Sequence, residues 1–152
     1  MYIILVVFIV IVDQITKYYA VLNLKDKEAV PIIVNFLQLK YVENRGAAFG
    51  ILQNKQFPLI LFTIVILLCI FVYMSKNKSL NKLTLFSLWG IVGGTIGNLI
   101  DRIRLNFVVD FIDINFWGYY DFPVFNIADS FLVIFTILLC ILVFLDKYER
   151  VD

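Results

Sequence analysis

Apolar residues gather along this chain into four long runs, each close to the roughly 20 residues that a helix needs to cross a hydrocarbon core about 30 Å thick. The first extends from Tyr2 to Leu22, uncharged as far as Val12 and then interrupted by Asp13, Gln14 and Lys17. Phe57 to Met74 and Leu83 to Ile100 carry no charge, and Val124 to Leu145 holds a single ionisable residue, Asp129. Unpaired backbone groups cannot face lipid, so all four are predicted as helices. The first lacks the basic start and the A-x-A site of a secretory signal, and is expected to stay as a permanent span. Between the runs lie two long connections, Asn23 to Gln56 and Asp101 to Pro123, and a short one around Ser75 to Lys82.

Inside the long connections the apolar period shortens to two. Phe36 to Glu43 (FLQLKYVE) alternates and is rich in β-formers, and Asn44 to Gly46 signals a turn before Ala47 to Leu52. Phe107 to Ile114 (FVVDFIDI) is strand-like as well, and Trp117, Tyr119 and Tyr120 behind it suit the headgroup layer. The predicted fold class is therefore a membrane all-α bundle of four transmembrane helices, carrying a small β-sheet or hairpin at the membrane surface and an interfacial loop. Residues 1–152 form one integral membrane domain.

In an antiparallel bundle the end of span one, the start of span two, the end of span three and the start of span four share one membrane face. The polar residues follow that rule. Asp13, Gln14, Thr16 and Lys17 end span one; Asn98, Asp101 and Arg102 end span three; Asn126, Asp129 and Ser130 open span four. Both long connections lie on the same side. Polar groups are costly inside a membrane, so their concentration at one interface predicts a site there. Cations do not orient it. The short loop and tail hold five (Lys76, Lys78, Lys82, Lys147, Arg150) against seven on the long connections (Lys25, Lys27, Lys40, Arg45, Lys55, Arg102, Arg104).

Composition narrows the chemistry. Of 152 residues 62% are apolar and 16% charged, with mean hydropathy +0.92, outside the range of soluble domains. A net charge of +1 offers no excess of cations to a polyphosphate, and nucleic acid is not an expected partner. The absence of histidine excludes Ser-His-Asp and Cys-His devices, an imidazole base and His-ligated zinc. Cys69 and Cys140 lie in apolar runs and are expected to pack as small hydrophobes.

Each polar cluster has a plain reading beside a functional one. Asp13 and Lys17 stand at the favourable i, i+4 ion-pair spacing, although a desolvated lysine can also serve as a base for a hydroxyl such as Thr16 or Ser130. Gly90 with Gly94, and Gly93 with Gly97, form small-xxx-small pairs that predict close helix packing. Asn98, Asp101 and Arg102 share one helix face and either satisfy each other or hold a ligand carbonyl. Asn126 and Asp129 suit an N-cap and a first-turn acid.

Asp110 resists a plain account, because it stands between Val109 and Phe111 with no adjacent base. With Asp129 it makes the one arrangement here capable of hydrolysis without histidine or metal. A carboxylate pair holding one proton can both activate water and polarise a carbonyl. A divalent cation is the rival use of two acids, but calcium wants six to eight oxygens, more than the sequence assembles. No metal and no cofactor is expected.

VDQITK (Val12 to Lys17), ENRGAAFG (Glu43 to Gly50), GGTIGNLIDR (Gly93 to Arg102), VVDFID (Val108 to Asp113) and FNIADS (Phe125 to Ser130) together resemble, in order and spacing, the motifs of lipoprotein signal peptidase, signal peptidase II. The resemblance spans nearly the whole chain. It implies a multi-pass enzyme of the bacterial cytoplasmic membrane with both termini inside, an extracytoplasmic sheet and an active site near the extracytoplasmic face. The implied activity is that of an aspartic endopeptidase that removes signal peptides from prolipoproteins, cutting before a diacylglyceryl-modified cysteine, with Asp110 and Asp129 catalytic. Asn44, Gly46, Asn98, Arg102 and Asn126 match substrate-binding positions, and Asp13, Lys17 and Asp101 match positions one layer behind. The implied partners are diacylglyceryl-modified prolipoproteins, membrane lipid and peptide inhibitors of the globomycin type. Two rivals remain: a small proton-coupled transporter, which would favour an acid near mid-span, and a non-catalytic scaffold, which leaves Asp110 unexplained.

Overall fold

A computed structural model describes residues 1–46, 53, 55–117 and 120–149. The expected segment Ala47 to Leu52 and the interfacial Tyr119 lie outside the described residues. Four helices form, α1 (Tyr2–Leu24), α2 (Gln56–Lys76), α3 (Lys82–Leu105) and α4 (Ile127–Phe144), each long and apolar enough to cross a membrane. The three strands are β1 (Val30–Ile33), β2 (Leu37–Asn44) and β3 (Val108–Ile114), paired antiparallel in the order β1-β2-β3.

The helix α3 is the axis of the bundle, packed by α1 and α4 and flanked by α2. Its glycines make this possible. A β-carbon on Gly90 would fall 2.1 Å from the Phe135 ring of α4, and one on Gly97 would fall 2.7 Å from a carboxylate oxygen of Asp13 on α1. The small-residue stripe thus lets two helices approach α3 closely, and at Gly97 it does so at the level where the polar residues lie. The outward faces of α1, α2 and α4 carry exposed Ile, Val, Leu and Phe, as lipid-facing surfaces do.

Two helix ends differ from the hydropathy pattern by more than two residues. The polar last turn keeps α3 helical to Leu105, beyond Ile100, where Asn106 ends it in the left-handed region at φ 61°. Helix α4 starts at Ile127 instead of Val124, because Phe125 is drawn into the sheet. The Phe125 carbonyl accepts from Phe111 N (3.0 Å) and Ile112 N (2.8 Å), and Phe125 N donates to the Ile112 carbonyl (3.0 Å). β3 is therefore held between β2 and the entry to α4. Opposite it, Leu39 pairs with Ile112 and Val42 with Asp110, so Lys40 and Tyr41 both face Phe111 in a bulge. Bulges bend a strand and re-aim its side chains, and this one adjoins Asp110.

Candidate active site

The polar residues of α1, α3 and α4 form two joined clusters. In the first, Lys17 Nζ lies 2.8 Å from Asp13 Oδ2 and 3.0 Å from Asp101 Oδ2, and donates to Asn98 Oδ1 at 2.8 Å. Its three donor hydrogens thereby have three acceptors. The hydroxyls of Thr16 and Ser130 bond to carbonyls of their own helices, so neither is poised as a nucleophile for Lys17. Both acids reach further. Asp13 Oδ1 accepts from Ala128 N in the first turn of α4 (2.9 Å), and Asp101 Oδ2 accepts from Val109 N of β3 (3.1 Å). Gln14 joins the cluster by donating to Asp101 Oδ1 at 2.9 Å. One buried cation thus fixes two acids that grip the backbone on either side of the second cluster.

That second cluster centres on Asn126. Its backbone and side chain form a reciprocal capping box with Asp129, which satisfies free N–H groups at the start of α4. Its Nδ2 donates to Asp110 Oδ1 (2.6 Å) and to Asn98 Oδ1 (3.0 Å), while Asn98 Nδ2 donates to Asp129 Oδ1 (2.7 Å). Asn44, the last residue of β2, donates to Asp110 Oδ2 at 2.9 Å and accepts from Gly46 N at 3.0 Å. Three asparagines therefore orient two carboxylates. Burial first, and the negative charge of Asp129 second, push the Asp110 carboxyl up to about 7.

Asp110 and Asp129 both face a cavity of about 1060 Å³ whose wall includes Asn44, Gly46, Asn98 and Arg102. Val124, Leu132 and Ile134 supply part of its apolar side. Arg102 Nη2 contacts the Gly46 carbonyl at 3.4 Å, and its buried Nε has no acceptor among the described residues. No third acid or cysteine joins the two carboxylates into a metal-holding group among the described residues. The arrangement is suited to moving a proton between two acids beside a largely apolar pocket.

The family model described as Signal peptidase (SPase) II matches residues 5–145. The chain belongs to the signal peptidase II family. It is 49% identical over 140 residues to the lipoprotein signal peptidase of Caldanaerobacter subterraneus subsp. tengcongensis, covering 91% of this chain and 92% of that one. To the lipoprotein signal peptidase of Clostridium tetani it is 45% identical over 150 residues, covering 98% and 96%. A bacterial membrane enzyme solved by the in meso method at 2.3 Å superposes with a TM-score of 0.86 at 39% identity, covering 99% of this chain and 94% of that one. As a signal peptidase II, the protein is a multi-pass membrane protease.

Within this signal peptidase fold all seven residues singled out from the sequence come together. Asn44, Gly46, Asn98, Arg102, Asp110 and Asp129 reach the cavity, whereas Asn126 is fully buried and bridges the two acids from behind. Asp113, the other acid of β3, turns away to Lys40 Nζ (2.7 Å) and Gln38 Nε2 (2.6 Å). Sequence reasoning missed the part played by Gln14 and the grip of Asp13 on the α4 backbone. Both join residues more than 80 positions apart, for which local spacing carries no signal.

Proposed function

We propose that the protein is an aspartic endopeptidase that removes signal peptides from prolipoproteins by hydrolysing the bond before a diacylglyceryl-modified cysteine. The observation that carries this is the convergence of Asp110 and Asp129 on one cavity with no cation paired to either among the described residues. Their ordering by Asn44, Asn98 and Asn126 supports the geometry. With one proton on the pair, the ionised carboxylate takes a proton from water as the water oxygen adds to the peptide carbonyl. The protonated partner donates to the carbonyl oxygen as it gains charge. The tetrahedral adduct then collapses. The C–N bond breaks as the newly protonated acid delivers its proton to the departing cysteine amine and the ionised one takes a hydroxyl proton from the adduct, which leaves the pair again with one proton.

Asn44, Gly46, Asn98 and Arg102 hold the substrate backbone in this scheme, and Arg102 Nε, without a partner among the described residues, is the donor best placed to take a carbonyl. Leu132, Val133 and Ile134 on α4 line the cavity and, for Val133 and Ile134, are also exposed outward, which gives the acyl chains a path from lipid to site. Residues 1–152 act as one peptidase unit in the bacterial cytoplasmic membrane, with the cavity near its extracytoplasmic face. Family membership does not favour the transporter.

The test uses the purified full-length chain in detergent with a diacylglyceryl-modified prolipoprotein and no ion gradient. Release of the signal peptide, blocked by globomycin and lost in Asp110→Asn, is the expected outcome. An uncut substrate, or cutting that survives Asp110→Asn, overturns the assignment.

A further inference from the structure

The outermost part of the sheet has a composition that water does not explain. From Ala29 to Leu39 and from Ile114 to Tyr120 the sequence holds no charged residue. Val34 at the turn between β1 and β2 is 76% exposed, Ile32 56% and Ile33 52%, and Trp117 on the second connection is 65% exposed. All four positions of β1 are exposed and apolar, on both faces of the strand. An edge strand bathed in water keeps polar side chains on its outward face, and soluble surfaces rarely gather apolar residues in this density.

Two features separate a lipid-facing surface from one made to recruit a peptide strand. Pro31 removes an N–H from β1, and the pairing register shifts between Pro31 and Ile33, so the free edge is a poor template for strand addition. Several backbone donors beside the tip are also satisfied internally. Phe36 N donates to the Ile33 carbonyl (3.0 Å), Asn115 N to the Phe36 carbonyl (2.8 Å) and Trp117 N to the Asn115 carbonyl (2.9 Å). A segment that enters a low-dielectric phase must close its polar groups in this way. The Phe36 ring stacks on Trp117 at 5.0 Å and meets Phe116 edge-on at 6.0 Å, so the two connections end in one aromatic knob.

We propose that the β1–β2 turn and Trp117 form a single apolar tip that inserts into the headgroup and upper acyl region of the bilayer crossed by the four helices. The bilayer is within reach of the sheet, because β1 begins six residues after the end of α1, a link that spans at most about 20 Å. Leu37 pairs with Ile114 at the tip, and Asn44 with Val108 at the far end of the same strands. The tip therefore anchors the sheet at the end away from Asp110 and sets its tilt on the membrane. This holds whatever reaction the cavity performs.

The chain contains two tryptophans, Trp89 and Trp117, so Trp89→Phe leaves Trp117 as the sole reporter. This variant is reconstituted in vesicles of phosphatidylcholine and phosphatidylglycerol, some carrying nitroxide-labelled lipid. Trp117 emission is expected to be quenched by shallow nitroxides and protected from aqueous iodide, and Val34→Asp is expected to lose most of the lipid quenching while the thermal midpoint holds. Full quenching by iodide with none by nitroxide overturns the proposal. So does lipid quenching that Val34→Asp leaves unchanged, or emission that responds to added prolipoprotein and not to lipid label.

Discussion

The two polar clusters lie side by side at the same end of the bundle, and both are built on buried aspartates, yet they are opposite in kind. Around Lys17, Asp13 and Asp101 have a cation at 2.8 and 3.0 Å; Asp13 spends its other oxygen on Ala128 N of α4, while Asp101 accepts from Val109 N of β3 on the same oxygen and from Gln14 on the other. Around Asn126, Asp110 and Asp129 have amide donors only among the described residues, and face a cavity. A cation between two buried carboxylates offsets their mutual repulsion, whereas two carboxylates served only by neutral amides have no such counter-charge. The first cluster can position but has nothing left to offer a ligand. The second is ordered equally well and leaves its acid-base chemistry open to the cavity.

The sharpest way to break this contrast is to neutralise each acid of the second cluster. On the proposed reading, Asp110→Asn and Asp129→Asn each lower kcat/KM for prolipoprotein cleavage by about 10²–10⁴-fold. The double variant is hardly worse than either single one, because the acids act as a unit. Thermal midpoints in detergent stay close to the parent. A variant that cleaves at near the parent rate separates that acid from the chemistry.

Removing the cation of the first cluster has the reverse signature. Lys17→Met leaves Asp13 and Asp101 buried without a counter-charge, and breaking a buried pair in this way costs about 3–5 kcal/mol. The expected result is a large drop in thermal midpoint, with residual activity following the folded fraction. Adding Asp13→Asn to Lys17→Met recovers part of the loss. A Lys17→Met protein that melts like the parent yet does not cleave would instead place Lys17 in the chemistry.

What the sequence made legible divides along the same line. The four spans follow from hydropathy, a one-dimensional property, and the i, i+4 spacing of Asp13 and Lys17 announced their pair. Asp110 stood out because an acid in an apolar strand has no local partner. The strand β1 escaped notice, since VPII is short, contains proline and does not alternate. Nor could spacing reveal that Phe125 would pair with β3 and delay the start of α4. The placement of Asn98, which accepts from Lys17 and donates to Asp129, is likewise a product of helix packing around Gly97, and no local pattern encodes it.

A smaller effect tests the wall of the cavity. Arg102→Ala removes a donor whose Nε is unengaged among the described residues, while touching neither cluster's hydrogen bonds. A hydrogen bond from a charged group is worth about 1.5–3 kcal/mol, so KM for the lipidated substrate should rise roughly 10- to 100-fold with little change in thermal midpoint. An unchanged KM removes Arg102 from substrate binding.

The finest probe is pH. Burial, then the charge of Asp129, raise Asp110 from its ordinary 3.8 to about 7, while the Asn44 side chain pulls it back down by donating to the ionised form. The active pair holds one proton, so kcat/KM should fall as pH rises through about 7, when that proton is lost, and should fall again in acid, when a second proton occupies the base. Asn44→Ala removes a donor to the carboxylate, and the charged form of Asp110 becomes harder to reach. The alkaline limb should therefore move to higher pH, by up to about one unit for a hydrogen bond worth about 0.5–1.5 kcal/mol. The corresponding change beside the first cluster, Gln14→Ala, removes a donor to Asp101, whose charge Lys17 already balances, and should leave that limb in place. A limb that moves downward with Asn44→Ala, or moves equally with both variants, would mean that the two clusters titrate as one and that the contrast between them fails.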